Sequence, residues 1–405
     1  MKNKYNIIDL FSGCGGLLDG FMQSDLCNHV ASVEWEKAPV ETLRKRIKTK
    51  WGEENPTDSV IHFDIQRIDE LLNGFDDVKY GKSVGLKKIV GKRKIDIIIG
   101  GPPCQAYSVA GRVSVDQKEK PDYRNYLFEY YLKIVECFQP KLFVFENVPG
   151  MLSAMPDGTP IIDLIKRDIS TKGYEIVDDI RKYAILDASD FNVPQTRKRV
   201  ILVGINKKYF GKQNPQEILV DFYTNIMPSF KGEKISVGDA IGDLPPCFPL
   251  FSDKRPSHTK PECNITWHYS RFNSVRDVKI FQMLARDIES GENKYIDSEE
   301  LKKIYNDATG ANTKVHKYHV LRKNEPSTTI LAHLHKDGLR FIHYDSKQAR
   351  TITVREAARL QTFDDDFDFV GSQGDAYKMI GNAVPCKFAL AIAKGVDVLL
   401  KRRIK

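Results

Sequence analysis

Ile95-Asp96-Ile97-Ile98-Ile99-Gly100-Gly101-Pro102-Pro103-Cys104-Gln105 runs from an apolar strand directly into a turn that ends on a thiol. A short isoleucine run bounded by turn residues reads as a strand buried on both faces, the kind found in parallel sheets of α/β proteins. The carboxyl ends of such strands form the ligand crevice of an open sheet, so a cysteine there can meet a cofactor and a substrate together. Two prolines restrict the backbone just before it without needing a ladder hydrogen bond. Cysteine is more commonly a small buried hydrophobe. Here a Gly-Gly-Pro-Pro turn packs poorly as core and the polar and aromatic run Gln105 to Ser108 follows, which favours a reactive thiol.

Working outward, the chain has 405 residues and 41% hydrophobic content, enough for two domains with ordinary cores. No stretch approaches the roughly 20 apolar residues of a membrane helix, and Met1-Lys2-Asn3-Lys4 passes straight into a strand, so a soluble, cytoplasmic protein is expected. Seven cysteines without a C-x-x-C pair suggest neither a disulfide framework nor a zinc site. The formal charge is +8. Its positive residues cluster between Val78 and Ile95, where Lys79, Lys82, Lys87, Lys88, Lys92, Arg93 and Lys94 occur with no acid among them. A solvated loop and a polyanion contact are both open readings of that run.

Upstream, Tyr5 to Phe11 reads as a first strand and Ser12-Gly13-Cys14-Gly15-Gly16-Leu17 as a glycine-rich turn into a helix. A dinucleotide fingerprint would want glycine at position 18, where this chain has Leu18, so hydride-transfer chemistry is disfavoured. A second strand ends in Glu34-Trp35, at about the twenty-residue spacing where an acid meets a ribose hydroxyl, with an aromatic able to lie on adenine. Each alone would more often be a surface charge or a core aromatic; their joint placement favours a nucleotide. Asp64, after His62-Phe63, could accept from an adenine amine, though a lone aspartate is more often a helix cap.

Downstream, Leu127 to Phe138 has helical apolar spacing, and Lys141 to Phe145 is another buried strand ending in Glu146-Asn147-Val148-Pro149. Glu146 is thereby expected on the same sheet edge as Cys104. Tyr183 to Leu186 and Arg199 to Ile205 supply two more strands, with Arg197 and Arg199 on one side of the extended chain. From 206 to 350 the pattern becomes irregular; Phe272 to Ile288 reads as an amphipathic helix and Lys323 to His343 as small β structure. His333, His335 and His343 lack partners spaced to complete a metal site, so packing or polar contacts are preferred and no metal is expected. Ile352 to Leu360 and Ala383 to Leu400 return to helical periodicity.

Together these residues resemble the cytosine-5 DNA methyltransferases over almost the whole chain. Asp9 to Leu17 is similar to the family's cofactor turn, Pro103-Cys104-Gln105 to its nucleophile motif, Glu146-Asn147-Val148 to its acidic motif and Gln195-x-Arg197-x-Arg199 to its arginine motif. Arg355 to Gln361 and Gly381-Asn382-Ala383-Val384-Pro385 resemble its closing pair. The resemblance implies an α/β, Rossmann-like, S-adenosylmethionine-dependent methyltransferase domain with a smaller, mostly β or irregular target-recognition domain. Residues 1–205 would be catalytic, 206–350 would recognise the target, and 351–405 would complete the catalytic domain. It implies an S-adenosylmethionine pocket from Phe11, Gly13, Cys14, Gly15, Gly16, Glu34, Trp35, Asp64, Ile65, Gly101, Pro103, Leu127, Asn382 and Val384. Cys104, Glu146, Arg197 and Arg199 would be catalytic, and Gln105, Ser108 and Arg112 would touch DNA. The charged loop Arg112 to Pro121 is longer than the family pattern.

The chemistry so implied is addition of a Cys104 thiolate to carbon 6 of a flipped-out cytosine, which makes carbon 5 nucleophilic. Glu146 would bind ring nitrogen 3 and the exocyclic amine, and Arg199 the carbonyl oxygen, with phosphate binding left open for Arg197. The expected partner is double-stranded DNA; a bacterial or phage modification enzyme, partnered with a restriction endonuclease acting on the same sequence or acting alone, is expected, and as a monomer. Transfer to an exocyclic amine fits less well, because Pro-Pro leads into Cys104. An RNA methyltransferase is the nearer rival; a non-catalytic DNA-binding regulator would predict loss of Cys104, Glu146 or the cofactor turn, all present.

Overall fold

The computed structural model describes residues 4–103, 126–155, 158–211 and 213–403. They form two compact units. The first comprises residues up to 191, 197–233 and 384 onward; the second comprises 192–196 and 234–383.

The first unit is built on one sheet. Its strands are β1 (Tyr5–Leu10), β2 (Cys27–Glu34), β3 (Val60–His62), β6 (Ile97–Gly100), β7 (Leu142–Asn147), β8 (Tyr174–Glu175), β9 (Ile185–Asp187) and β10 (Lys198–Asn206); β4 (Phe75–Asp77) and β5 (Gly81–Ser83) make a separate hairpin. The order is β3-β2-β1-β6-β7-β10-β8, with β9 also on β10. The first five run parallel and β10 antiparallel. The chain winds one way from β1 to β3 and the other way from β6, so the order reverses between β1 and β6, where open α/β sheets hold their ligands. Ile7, Ile8, Ile97, Ile98, Ile99, Phe143 and Val144 are buried at 0–1% exposure, as expected of strands covered on both faces.

Helices α1 (Gly16–Gln23), α2 (Lys37–Trp51) and α3 (Leu127–Phe138) cover this sheet. Tyr131 of α3 donates a bifurcated hydrogen bond to the Ile98 and Val144 carbonyls, both at 3.1 Å, tying the helix to β6 and β7. The C-terminal helix, Cys386–Arg403, lies so close to α1 that a Cβ on Gly20 would stand 2.3 Å from the Cys386 carbonyl oxygen. Residues 206–233 pack here as well. Tyr223 donates to Ile201 O at 2.8 Å and accepts from Val203 N at 3.0 Å, clamping β10 from one side.

The second unit is helical and irregular. It contains α4 (Val275–Ser290), α5 (Ser298–Thr309), α6 (Val354–Leu360) and α7 (Gln373–Asn382), and α4 and α5 pack with Tyr318 and Ile342 in an apolar core. Where small β structure is expected, over 323–343, the ladder reduces to isolated bridges and a 3-10 turn at Ala332–His335. Gln195 belongs to this unit: its amide accepts from Ile330 N at 2.8 Å and donates to Leu360 O at 3.2 Å and Gln361 Oε1 at 3.0 Å. As compact bodies, 206–233 therefore go with the first unit and 351–383 with the second, so compactness divides the chain at other positions than 205 and 350.

Candidate active site

Register places the expected groups on one sheet edge. Leu10 pairs with Gly100, Gly100 with Phe145, and Glu146 with Ile201. Because β10 is antiparallel, it begins at the edge where β6 and β7 end, which brings Arg199 to Glu146. The Arg199 Nε lies 2.8 Å from Glu146 Oε1, with both side chains largely buried. Burial pushes the Arg199 guanidinium down and Glu146 opposes this. Arg197, fully buried, is pushed well below the ordinary range by burial and then by the Arg199 charge. Glu146 Oε2 faces Gly101, where a Cβ would approach it to 2.7 Å. Asn147 Nδ2 donates to Pro102 O at 3.1 Å, pinning the Gly-Pro-Pro turn to the end of β7. The expected nucleophile Cys104 and the expected DNA contacts Gln105, Ser108 and Arg112 lie outside the described residues.

The glycine-rich turn sorts into two kinds of glycine. Gly13, at φ +53, has no atom within 4 Å of where a Cβ would stand, and opens the backbone to a ligand. Gly15, at φ +92, is required by packing, because a Cβ there would meet Leu43 Cδ1 at 2.5 Å. Between them Cys14 is buried, and burial pushes its thiol up to about 12. Phe11 holds a left-handed backbone at φ +57, uncommon for an aromatic residue and a mark of a constrained turn.

Glu34 accepts three backbone N–H groups: Gly13 at 2.8 Å on Oε2, and Trp35 at 2.8 Å and Glu36 at 2.9 Å on Oε1. Burial outweighs these bonds and raises its pKa. A carboxylate has about four acceptor positions, so one remains for a ribose hydroxyl. Trp35 beside it is 48% exposed, a flat apolar face at the mouth of the crevice. Asp64 follows β3, half-buried, and takes the Gln66 N–H at 3.0 Å; Ile65 and Leu127 are buried. Val384 is buried in the first unit, and Asn382 is exposed at the end of α7 in the second.

One residue of this edge escapes sequence reasoning as a site residue. Asp9, on β1, is 1% exposed, and neither carboxylate oxygen has a hydrogen-bond partner among the described residues. Burial, then the neighbouring Glu34 charge, raise its pKa well above the ordinary aspartate range. The signal is visible in the sequence: Asp9 is the one charged residue in the buried run Ile7-Ile8-Asp9-Leu10. A buried carboxyl facing a second carboxyl fits a cationic ligand, as the sulfonium and ammonium groups of S-adenosylmethionine require. The open space at Gly13, the spare acceptor on Glu34 and the face of Trp35 fit the rest of such a molecule.

The basic run has a different place. Asn6 Nδ2 donates to Lys94 O at 2.9 Å and Asp96 N to Asn6 O at 2.9 Å, so Lys92, Arg93 and Lys94 sit where β1 and β6 begin. Strands rise about 3.3 Å per residue, which puts β6 between them and the Gly101 edge. The basic run therefore lies at the opposite end of β6 from Gly101.

Residues 5–397 match the family model for C-5 cytosine-specific DNA methylase. The chain is 32% identical to type II methyltransferase M.Bpa9945I of Bacillus paralicheniformis, covering 97% of this chain and 99% of that one. It is 31% identical to type II methyltransferase M1.HphI of Haemophilus parahaemolyticus, covering 96% and 86%. The fold is similar to that of the crystal structure of the S. pombe Dnmt2 methyltransferase, at TM-score 0.54 and 14% identity over 99% of each chain.

Proposed function

The chain belongs to the C-5 cytosine-specific DNA methylase family and is an S-adenosylmethionine-dependent DNA (cytosine-5-)-methyltransferase; from that premise we propose how its residues divide the work. The observation that carries the proposal is the single edge that gathers Gly101, Glu146 and Arg199 across β6, β7 and β10. Cys104, three residues beyond Gly101, is the nucleophile: its thiolate adds to carbon 6 of a flipped cytosine, and electron density moves to carbon 5. Glu146 directs Oε2 toward that crevice and accepts from the exocyclic amine of the ring. Arg199 holds the Glu146 carboxylate through Nε and Lys198 O through Nη1 at 2.8 Å, and its guanidinium donates to the cytosine carbonyl oxygen. Arg197, deeply buried behind it, supports the positive field and the position of Arg199.

S-adenosylmethionine supplies an electrophilic methyl group when bound. Asp9 balances its positive charge, Glu34 binds the ribose, and Trp35, Asp64 and Ile65 enclose the adenine. Val384, buried in the same unit, completes the pocket. The second unit, with flanking parts of 206–350, selects the target sequence in duplex DNA. The names of M.Bpa9945I and M1.HphI as type II methyltransferases support a place in bacterial restriction-modification, in the cytoplasm, beside an endonuclease that cuts the same sequence. One monomer flips one base.

Methylome sequencing of DNA from cells expressing the protein, beside Cys104→Ser, tests this. The expected result is 5-methylcytosine in one short recurring sequence, absent with the variant. Equal methylation by the variant would remove Cys104 from the mechanism. Unmethylated DNA, with a folded wild-type protein that binds S-adenosylmethionine, would move the substrate to RNA.

A further inference from the structure

Residues 247–260 of the second unit form a hairpin whose base and tip are built in opposite ways. At the base, Thr259 N donates to Phe248 O at 2.8 Å, Phe248 N to Thr259 Oγ1 at 2.9 Å and Leu250 N to Ser257 O at 3.0 Å. Ser257 and His258 are buried. Burial, then the Arg350 charge, push the His258 imidazole down to about 4, so the ring is neutral. Its Nε2 lies 3.1 Å from the Gln348 carbonyl, which can only accept; Nε2 therefore carries the proton and Nδ1 accepts from the Ser257 hydroxyl at 3.0 Å. Ser257 Oγ accepts in turn from Asn273 N at 3.0 Å, and Gln348 Oε1 takes Cys247 N at 3.0 Å. The base is a closed, buried polar lattice.

The tip reverses this. Phe248, Leu250 and Phe251 are 45, 48 and 50% exposed, three large apolar side chains within four residues. Phe251 also holds φ +49, a left-handed conformation that strains a bulky residue. Neither strain nor exposure is recovered by packing within the unit. At the tip Lys254 and Arg255 are exposed, against one acid inside the hairpin, Asp253. A rigid base holding an apolar point in a basic collar is the arrangement of side-chain wedges that enter DNA: apolar groups part a base step while cations hold the flanking phosphates. We propose that the Phe248–Thr259 hairpin is a DNA wedge, with Leu250 and Phe251 set against the bases of the target duplex and Lys254 and Arg255 on its backbone. This rests on the reading of the second unit as the target-recognition body.

The test uses the full chain, a duplex carrying the methylated sequence found for the wild type, and fluorescence anisotropy at several salt concentrations. The doubly substituted Leu250→Ser, Phe251→Ser protein should bind that duplex about tenfold or more weakly, with an unchanged salt slope, melting temperature and S-adenosylmethionine affinity. Lys254→Gln with Arg255→Gln should instead flatten the salt slope, by about one for each phosphate no longer neutralised. Affinity within twofold of wild type for the apolar variant overturns the wedge. So does a wild-type dimer that the same variant converts to monomer with DNA affinity intact, which would assign the tip to an interface between copies. A wild type that binds and methylates no duplex DNA overturns the underlying assignment, and is told apart by needing no variant.

Discussion

The catalytic edge of the first unit and the interior of the second both bury charge, and they finish it differently. In the second unit Arg350 and Glu356 are 0 and 1% exposed and joined by two bonds of 2.7 Å. Gln348 Oε1 accepts from Arg350 Nε and Nη2 and Thr351 O from Nη1, and Thr353 N donates to Glu356 Oε2 at 2.7 Å within a capping box that starts α6. Burial alone would raise the Glu356 pKa; the Arg350 charge and hydrogen bonds overcome it and hold the carboxyl well below the usual range. At the catalytic edge Asp9 is as deeply buried and takes no hydrogen bond from the described residues. The first unit closes pairs where only packing is at stake, as Arg46 does with Asp19 at 2.7 Å to join α2 to α1. The completed pairs Arg350–Glu356 and Arg46–Asp19 fix the chain, whereas the catalytic edge holds both a completed pair, Glu146 with Arg199, and Asp9, which has no hydrogen-bond partner among the described residues.

The largest effect should come from opening the closed pair. Glu356→Gln strands the Arg350 charge in the interior and should cost the second unit about 3–5 kcal/mol, read as an early transition in urea denaturation. Arg350→Met combined with Glu356→Leu should recover most of that loss, since an apolar pair of similar volume removes the stranded charge. A cost under about 1 kcal/mol for Glu356→Gln would mean the pair holds nothing together, and the contrast between the two regions would fail.

A smaller effect of opposite sign is expected at the open site. Asp9→Asn removes a buried carboxyl without a donor among the described residues and should stabilise the ligand-free protein by about 1–3 kcal/mol. It should also weaken S-adenosylmethionine binding tenfold or more, about 1.4 kcal/mol, by calorimetric titration. The gain depends on pH. The folded pKa of Asp9 is raised, so above the ordinary aspartate value the unfolded chain has released a proton that the folded chain retains, and wild-type stability falls as pH rises through that window. The advantage of Asp9→Asn should thus be small near pH 4 and grow toward neutrality. The buried His258 and His343 of the second unit, both pushed down to about 4, act oppositely: their contribution is lost as pH falls from 6.5 toward 4. An Asp9→Asn protein less stable than wild type at neutral pH would show that the carboxyl is already satisfied.

How much of this the sequence shows follows from where each signal is local. The isoleucine run of β6, the glycine turn before α1 and the Leu127–Phe138 helix are read directly, because burial on both faces and helical spacing are properties of neighbouring residues. Glu146 and Arg199 are both legible as residues, but their 2.8 Å pairing depends on β10 running antiparallel to β7, which no local pattern encodes. Gln195 is legible as part of a motif with the two arginines, yet its amide is consumed by Ile330, Leu360 and Gln361, more than 130 positions away. The β structure expected over 323–343 fails for a similar reason: side-chain bonds such as that of Ile330 N to Gln195 Oε1, and the close seating of Gly381 on Ala332, replace a ladder. Asp9 is readable as an anomaly, a charge inside an apolar strand, and that it has no hydrogen-bond partner among the described residues is visible only in the structure.

The smallest change in stability belongs to Gly101, and it separates position from fold at the open edge. A Cβ at Gly101 would stand 2.7 Å from Glu146 Oε2, the far end of a side chain that can yield, with no backbone atom nearer than 3.5 Å. Gly101→Ala should therefore change folding stability by less than about 1 kcal/mol. The carboxylate cannot yield freely, however, because Arg199 Nε holds Oε1 at 2.8 Å, so the displacement must move Oε2 from the crevice or stretch the ion pair. A displaced group costs transition-state stabilisation more than ground-state binding, so the single-turnover methylation rate should fall roughly tenfold to a hundredfold while S-adenosylmethionine affinity and melting temperature stay near wild type. Glu146→Asp in the same background shortens the side chain by one methylene and relieves the clash; partial recovery of rate in the double variant over Gly101→Ala would place the fault at that carboxylate. An unchanged rate for Gly101→Ala would mean that Oε2 has room to turn without loss, and that the edge is looser than its ion pair implies.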